Sequence, residues 1–177
     1  MRALKILVGV IFVVIVAFFA LASILPSKVN IERSMTTTAS QQEIFEILNS
    51  FKNFNKRSPW HDIDPDTEYS FSGPDTGVGA TMKWASIHSR VGSGVQEITA
   101  VDGQNRIDVR LSFDGQDDAK SYYIIEQLGE SRRVIWGFDA DFSNSYLGAY
   151  FGLMMDSMLG PSYEDGLANL KTYLEAG

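Results

Sequence analysis

Ile107-Asp108-Val109-Arg110-Leu111-Ser112-Phe113-Asp114 alternates apolar and polar side chains without a fault. A period of two sends successive side chains to opposite faces of a strand. The stretch therefore predicts a strand burying Ile107, Val109, Leu111 and Phe113 and turning Arg110 toward water or an acid on a neighbouring strand. Shorter stretches of strand character surround it. Residues 68–72, 80–85 and 95–101 precede it, punctuated by Gly77-Val78-Gly79 and Gly92-Ser93-Gly94. Residues 119–127 and 134–140 follow, and Asp102-Gly103 and Gly129-Glu130-Ser131 supply hairpin turns. Short strands at regular spacing joined by tight turns imply one antiparallel, strongly curved sheet.

The flanking segments complete the pattern. Residues 29–38 read as a further strand. Ser40-Gln41-Gln42-Glu43 is a capping box, and Ile44, Ile47, Leu48 and Phe51 follow at helical spacing. Residues 52–60 read as a basic, aromatic loop or a broken second helix, closed by Ser58-Pro59-Trp60. At the other end, Leu147, Tyr150, Phe151, Met154 and Met158 share a helical face, continued by Tyr163, Leu167, Leu170 and Leu174. Gly160-Pro161 interrupts the run, because proline lacks a donor and clashes with the preceding turn. The expectation is one long helix, kinked or briefly broken at residue 160. A sheet with one apolar face needs a cover, and this helix is the only element large enough. A curved sheet cannot meet a helix along its whole length, so a cavity is expected between them.

Residues 6–25 form an apolar run in which only Gly9 and Ser23 are not hydrophobic. As a helix, at about 1.5 Å per residue, it spans roughly the 30 Å core of a bilayer. The chain divides into an anchor, residues 1–27, and a domain, residues 28–177. Residues 1–25 hold two of the 15 basic residues, Arg2 and Lys5, and none of the 22 acidic ones, so the remainder carries a net charge of −9. Basic residues before the run and an acidic domain after it favour a cytoplasmic N-terminus and a domain on the outer, periplasmic or extracellular, side. Ala20-Leu21-Ala22 resembles a signal-peptidase site, but the apolar stretch continues through Ile24 and Leu25, longer than a signal h-region. The acidity speaks against nucleic-acid binding. With no cysteine, disulfides, thiolate metal sites and thiol catalysis are excluded.

Several short motifs carry a family resemblance. They are Ile31-Glu32-Arg33-Ser34, Phe54-Asn55-Lys56-Arg57-Ser58-Pro59-Trp60, Ser72-Gly73-Pro74 with Gly77-Val78-Gly79-Ala80, Val134-Ile135-Trp136-Gly137-Phe138, and Gly166-Leu167-Ala168-Asn169-Leu170-Lys171. Over about residues 28–175 the chain resembles the polyketide cyclase/dehydrase branch of the START-like (SRPBCC) superfamily. The resemblance implies an α+β helix-grip fold, a curved antiparallel sheet wrapped around a long C-terminal helix, with a cavity for a hydrophobic ligand. No catalytic motif of that family carries over residue by residue.

Asp62-Ile63-Asp64-Pro65-Asp66 begins like a calcium loop, but Thr67 and Gly73 stand where the turn glycine and the bidentate Glu belong. His61 and His88 are the only histidines and lack zinc-ligand spacing. No metal and no cofactor are expected. Asp139 and Asp141 share one side of a strand, with Trp136 and Phe138 the stronger candidates for the inner face. Gly77/Gly79 and Gly92/Gly94 read as turns rather than phosphate cradles. The strongest signal is aromatic and methionine content on segments bordering the cavity. Trp60, Met82, Trp84, Trp136, Phe138, Tyr150, Phe151, Met154, Met155 and Met158 are expected to line it, since methionine adapts to variable apolar partners. The expected partner is a small hydrophobic or lipid-like molecule, with the membrane engaged through residues 6–25. A cyclase, dehydratase or isomerase acting in the cavity, or a ligand-free interaction module, are the alternatives.

Overall fold

In the computed structural model, which describes residues 2–113, 118–144 and 146–176, helix α1 (Arg2–Ala22) leads into strand β1 (Lys28–Thr37). Helix α2 (Gln41–Leu48), a 3-10 turn (Phe51–Lys56) and helix α3 (Pro59–Ile63) follow. Then come β2 (Glu68–Ser72), β3 (Thr81–Ala85), β4 (Ser93–Asp102), β5 (Arg106–Phe113), β6 (Ala119–Leu128) and β7 (Ser131–Asp141), and finally α4 (Tyr146–Glu175). Asp114 of the alternating stretch lies outside the described residues.

The strands form one antiparallel sheet in the order β1-β7-β6-β5-β4-β3-β2. Successive hairpins lay β2 through β7 side by side, and β1 closes the series against β7, pairing Lys28 with Asp141 and Thr37 with Arg132. A register shift between Ile98 and Ala100 marks a bulge on β4, a device that bends a strand. On β5, Ile107 and Val109 are buried on the concave side. Arg110 faces out and pairs with its cross-strand neighbour Glu97, as alternation requires.

Helix α2 starts with the expected box: the Ser40 hydroxyl accepts from the Glu43 amide at 3.3 Å, and the Glu43 carboxylate accepts from the Ser40 amide at 2.9 Å. The Ser40 hydroxyl also donates to that carboxylate at 2.6 Å, and this bond with the one from the Ser40 amide holds the Glu43 carboxyl below its usual range. Residues 52–60, left open between loop and helix, contain most of the 3-10 turn and the start of α3. Ser58 caps α3, accepting from the His61 amide at 3.3 Å, with Pro59 in its first turn.

Helix α4 covers the concave face and runs through Gly160-Pro161 as one helix, so the expected break is absent. Two effects outweigh the proline. Beyond it, buried Leu167 and Leu170 together are worth about 3–6 kcal/mol, against about 3 kcal/mol for an interior proline. Arg33 of β1 also grips both sides of the interruption, reaching Asp156 at 2.9 Å and Glu164 at 2.6 Å. The Gly160 Cα lies directly over that guanidinium, where a larger residue would collide. Helix α1 is long and apolar enough to cross a membrane and is largely exposed along its length. Near its end, Tyr150 of α4 donates to the Phe18 carbonyl at 2.7 Å and stacks on the Phe18 ring at 4.6 Å.

Candidate functional site

Alternation on the strands and the bend of the sheet leave a cavity of about 190 Å³ beneath α4. Residues of one parity build its wall: Met82 and Trp84 on β3, Gln96 on β4, Val109, Leu111 and Phe113 on β5, Ser121 and Tyr123 on β6, Trp136 and Phe138 on β7. Trp60 of α3 and Leu159 and Tyr163 of α4 close the top. Two glycines make room for the rings. A Cβ at Gly166 would stand 2.5 Å from the Trp136 ring, and one at Gly94 would stand 2.6 Å from Trp84. For scale, a cavity of about 150 Å³ admits benzene.

The cavity does not end at α4. An open cleft of about 1060 Å³ shares Trp60, Arg90, Phe113, Phe138 and Leu159 with it and continues past Phe151, Met155 and Met158 to a rim carrying Asp118 and Asp141. The inner space suits one ring or a short chain, and the cleft has room for the rest of a longer molecule.

Polar groups inside are few, and those around Ser121 satisfy one another. The Ser121 hydroxyl donates to the Gly137 carbonyl at 3.0 Å and accepts from Trp136 Nε1 at 3.0 Å. Its single proton is thereby used, so in the 3.4 Å contact with Tyr163 the phenol is the donor. Burial pushes the Tyr163 pKa up and keeps it a neutral donor. Its ring stacks on Trp136 at 4.0 Å, and Trp60 meets both edge-on at 6.0 and 6.3 Å.

Behind this wall lies a residue that sequence reasoning missed. Arg57 is 1 % exposed, and its Nη1 donates to the Tyr123 hydroxyl at 2.7 Å. Its guanidinium sits over the rings of Phe54, Tyr123 and Trp136 at 5.1, 5.0 and 5.8 Å. Among the described residues, Nε and Nη2 have no hydrogen-bond partner and no carboxylate pairs with the guanidinium. Burial pushes the Tyr123 pKa up, and the neighbouring cation pulls against that shift. The only sequence signal was the position of Arg57 between Phe54 and Trp60, in the stretch that reads as a basic, aromatic loop or a broken second helix.

Of the residues expected to line the cavity, Trp60, Met82, Trp84, Trp136 and Phe138 stand in its wall. Phe151, Met155 and Met158 stand in the cleft. Tyr150 and Met154 are in neither wall. Tyr150 turns to α1 and Met154 to solvent, because α4 presents other residues to the sheet. Tyr123, Ser121, Leu159 and Tyr163 were not singled out as lining residues, although the face shared by Val109, Leu111 and Phe113 leads to the two on β6 by register.

The acidic candidates are engaged elsewhere. Asp62 accepts from Asn169 at 3.0 Å, while Asp64 accepts from the Ser86 hydroxyl and from the Asp66 amide. Asp139 accepts from Asn30 at 2.8 Å, and Asp141 lies 3.9 Å from Lys28. Hydrogen bonds from Ser143 hold the Asp141 carboxyl below its ordinary range, the reverse of a buried general acid. The His61 ring stands 6.1 Å from Tyr69, and His88 Nδ1 accepts from the Arg90 amide. Among the described residues, no three metal-binding side chains come together.

Comparison with solved structures shows the same fold at low identity. A START superfamily protein from Mycobacterium smegmatis matches with a TM-score of 0.59 at 14 % identity, over 83 % of this chain and 97 % of that one. Protein Ms6760 from Mycobacterium smegmatis matches at 0.56 and 15 %, over 84 % and 92 %. Protein CV1439 from Chromobacterium violaceum matches at 0.54 and 13 %, over 85 % and 99 %. No curated protein matches the chain. The profile of one family, described as polyketide cyclase / dehydrase and lipid transport, matches residues 28–175. With the aromatic hollow under its terminal helix and a profile match over residues 28–175, the chain belongs to that polyketide cyclase / dehydrase and lipid transport family.

Proposed function

We propose that this chain is a membrane-tethered binder of a small hydrophobic or lipid-like molecule. The ligand occupies the space between the sheet and α4, its innermost part against Trp136 and Tyr163 and the remainder in the cleft. The observation that carries the reading is the hollow itself: an apolar, aromatic cavity of about 190 Å³ that shares five wall residues with a larger open cleft. Burial of apolar ligand surface supplies the affinity, and the hydroxyls of Tyr123 and Tyr163 with Gln96 orient the ligand. Helix α1 crosses the membrane with its N-terminus in the cytoplasm, which holds the domain on the outer side, where apolar ligands are concentrated in the adjoining bilayer.

The enzyme alternative needs an acid or base in the cavity. Among the described residues the inner wall contains neither a carboxylate nor an imidazole, so no observation favours it. A solid interior would favour a ligand-free interaction module, and the hollow supports the binder over it.

Native mass spectrometry of the full chain purified from membranes, with lipid extraction of the same sample, tests the reading. An apolar molecule bound in near-unit ratio is expected, on a chain that retains residues 1–25. The Val109→Phe variant fills the inner space and is expected to lose that molecule while keeping its fold. Parent protein carrying nothing apolar, or Val109→Phe carrying as much as the parent, defeats the proposal. A mature mass lacking residues 1–25 defeats the tether alone.

A further inference from the structure

Leu147, Phe151, Met154 and Met158 are 71 %, 39 %, 57 % and 54 % exposed on α4. Their spacing places them in one row along the helix. The row lies away from the helix face where Ala149 is buried and Gly152 sits against Val29, with Phe151 at its edge meeting the Phe142 ring at 5.6 Å. A continuous apolar row on a folded surface marks a contact with something apolar.

The position of α1 indicates what that is. Tyr150, beside the row, is joined to Phe18 by a 2.7 Å hydrogen bond and by ring stacking. Phe18 lies four residues before Ala22, the end of α1, so it is only about 6 Å below that end. A helix that spans the hydrocarbon core brings this turn to the level where acyl chains meet headgroups. The row on α4 is held beside it. Charge agrees with this placement, because residues 142–155 carry no charged side chain in a domain whose net charge is −9. Repulsion from anionic lipid is weakest where the acids are missing.

We propose that Leu147, Phe151, Met154 and Met158 lie in the interfacial layer of the bilayer that α1 crosses, so that the cleft opens onto lipid. This inference rests on the tethered reading above and adds the route. Phe151 and Met158 belong both to the row and to the cleft wall. An apolar ligand therefore slides from the leaflet past these side chains into the cavity without entering water.

The chain has no cysteine, so single labels can be placed at will. Full-length protein carrying Val13→Cys, Leu147→Cys, Met154→Cys, Met158→Cys or Glu130→Cys is labelled with an environment-sensitive fluorophore. Each is reconstituted into phosphatidylcholine vesicles with or without brominated acyl chains. Glu130 sits in the β6–β7 turn, about 30 Å along the strands from the Lys28 end, and reports on water. The three α4 labels are expected to lose on the order of half the intensity lost at Val13, as for a helix seated about 5–10 Å into the boundary. Glu130 is expected not to change, and the α4 signal is expected to hold between about 0.1 and 1 M salt. Quenching at Val13 alone overturns this inference and leaves the tether standing. No quenching at Val13 removes the tether and this inference with it. Labels on α4 that are shielded from aqueous iodide yet untouched by brominated lipid assign the row to a second copy or another protein, and also overturn it.

Discussion

Replacing Arg57 with methionine asks whether the buried cation stabilises the fold or burdens it. The side chain is enclosed, gives one hydrogen bond to Tyr123 and leaves Nε and Nη2 unpaired. Removing it forfeits one charged hydrogen bond, about 1.5–3 kcal/mol, and three ring contacts at about 0.5–2 kcal/mol each. Against these stands the desolvation of an ion with no counter-charge, several kcal/mol even after relaxation. The two sides are of similar size, so Arg57→Met is expected within about 2 kcal/mol of the parent. Arg57→Lys keeps the charge but loses the planar group that stacks on Phe54, Tyr123 and Trp136. It is expected to be the worse variant by more than about 2 kcal/mol. Urea unfolding of the full chain in mild detergent measures this through tryptophan fluorescence. All three tryptophans, Trp60, Trp84 and Trp136, line the cavity and report on this region. A loss above about 4 kcal/mol in Arg57→Met at unchanged denaturant slope refutes the reasoning, as does a lysine variant more stable than the methionine one. Either result means that an anion stands against Arg57 in the protein as purified.

Three further outcomes follow from the same contacts. Gly166→Ala gains about 1 kcal/mol of helix propensity but drives a methyl into Trp136 and Pro59, so a net loss of about 1–2 kcal/mol is expected. A more stable variant in urea would show that α4 can move off the sheet. Ser121→Ala strands the Trp136 N–H and the Tyr163 hydroxyl and is expected to cost about 1–3 kcal/mol. An unchanged urea midpoint contradicts the network. The Ser86 hydroxyl holds the Asp64 carboxyl below its ordinary range. Its stabilising contribution is therefore full above the unfolded value of about 4 and is lost as pH falls through the depressed folded value. Asp64→Asn should melt below the parent at pH 7, with the gap closing in melting curves as pH falls below about 4. A gap independent of pH rules the mechanism out.

What could be read directly from the chain was local. Alternation from Ile107 to Phe113 assigned each side chain to a face, and the Ser40–Glu43 box fixed where α2 begins, because both depend only on neighbours along the backbone. The same parity put Trp136 and Phe138 inside and Arg110 outside without knowledge of the sheet. Pro161 left a kink and a break both open because proline's penalty is local, whereas the burial of Leu167 and Leu170 and the grip of Arg33 on Asp156 and Glu164, which carry the helix through, are not. Arg57 was invisible for the same reason: its ring partners lie on a 3-10 turn, on β6 and on β7, and only folding brings them together. Sequence alone determined the class of fold, the apolar N-terminal helix and the inner face of the strands. The tertiary structure decided that the interior stays hollow, that a cation is sealed behind it, and that Tyr150 turns α4 toward α1. A cavity is the volume left when distant segments fail to meet, and no run of adjacent residues encodes that remainder.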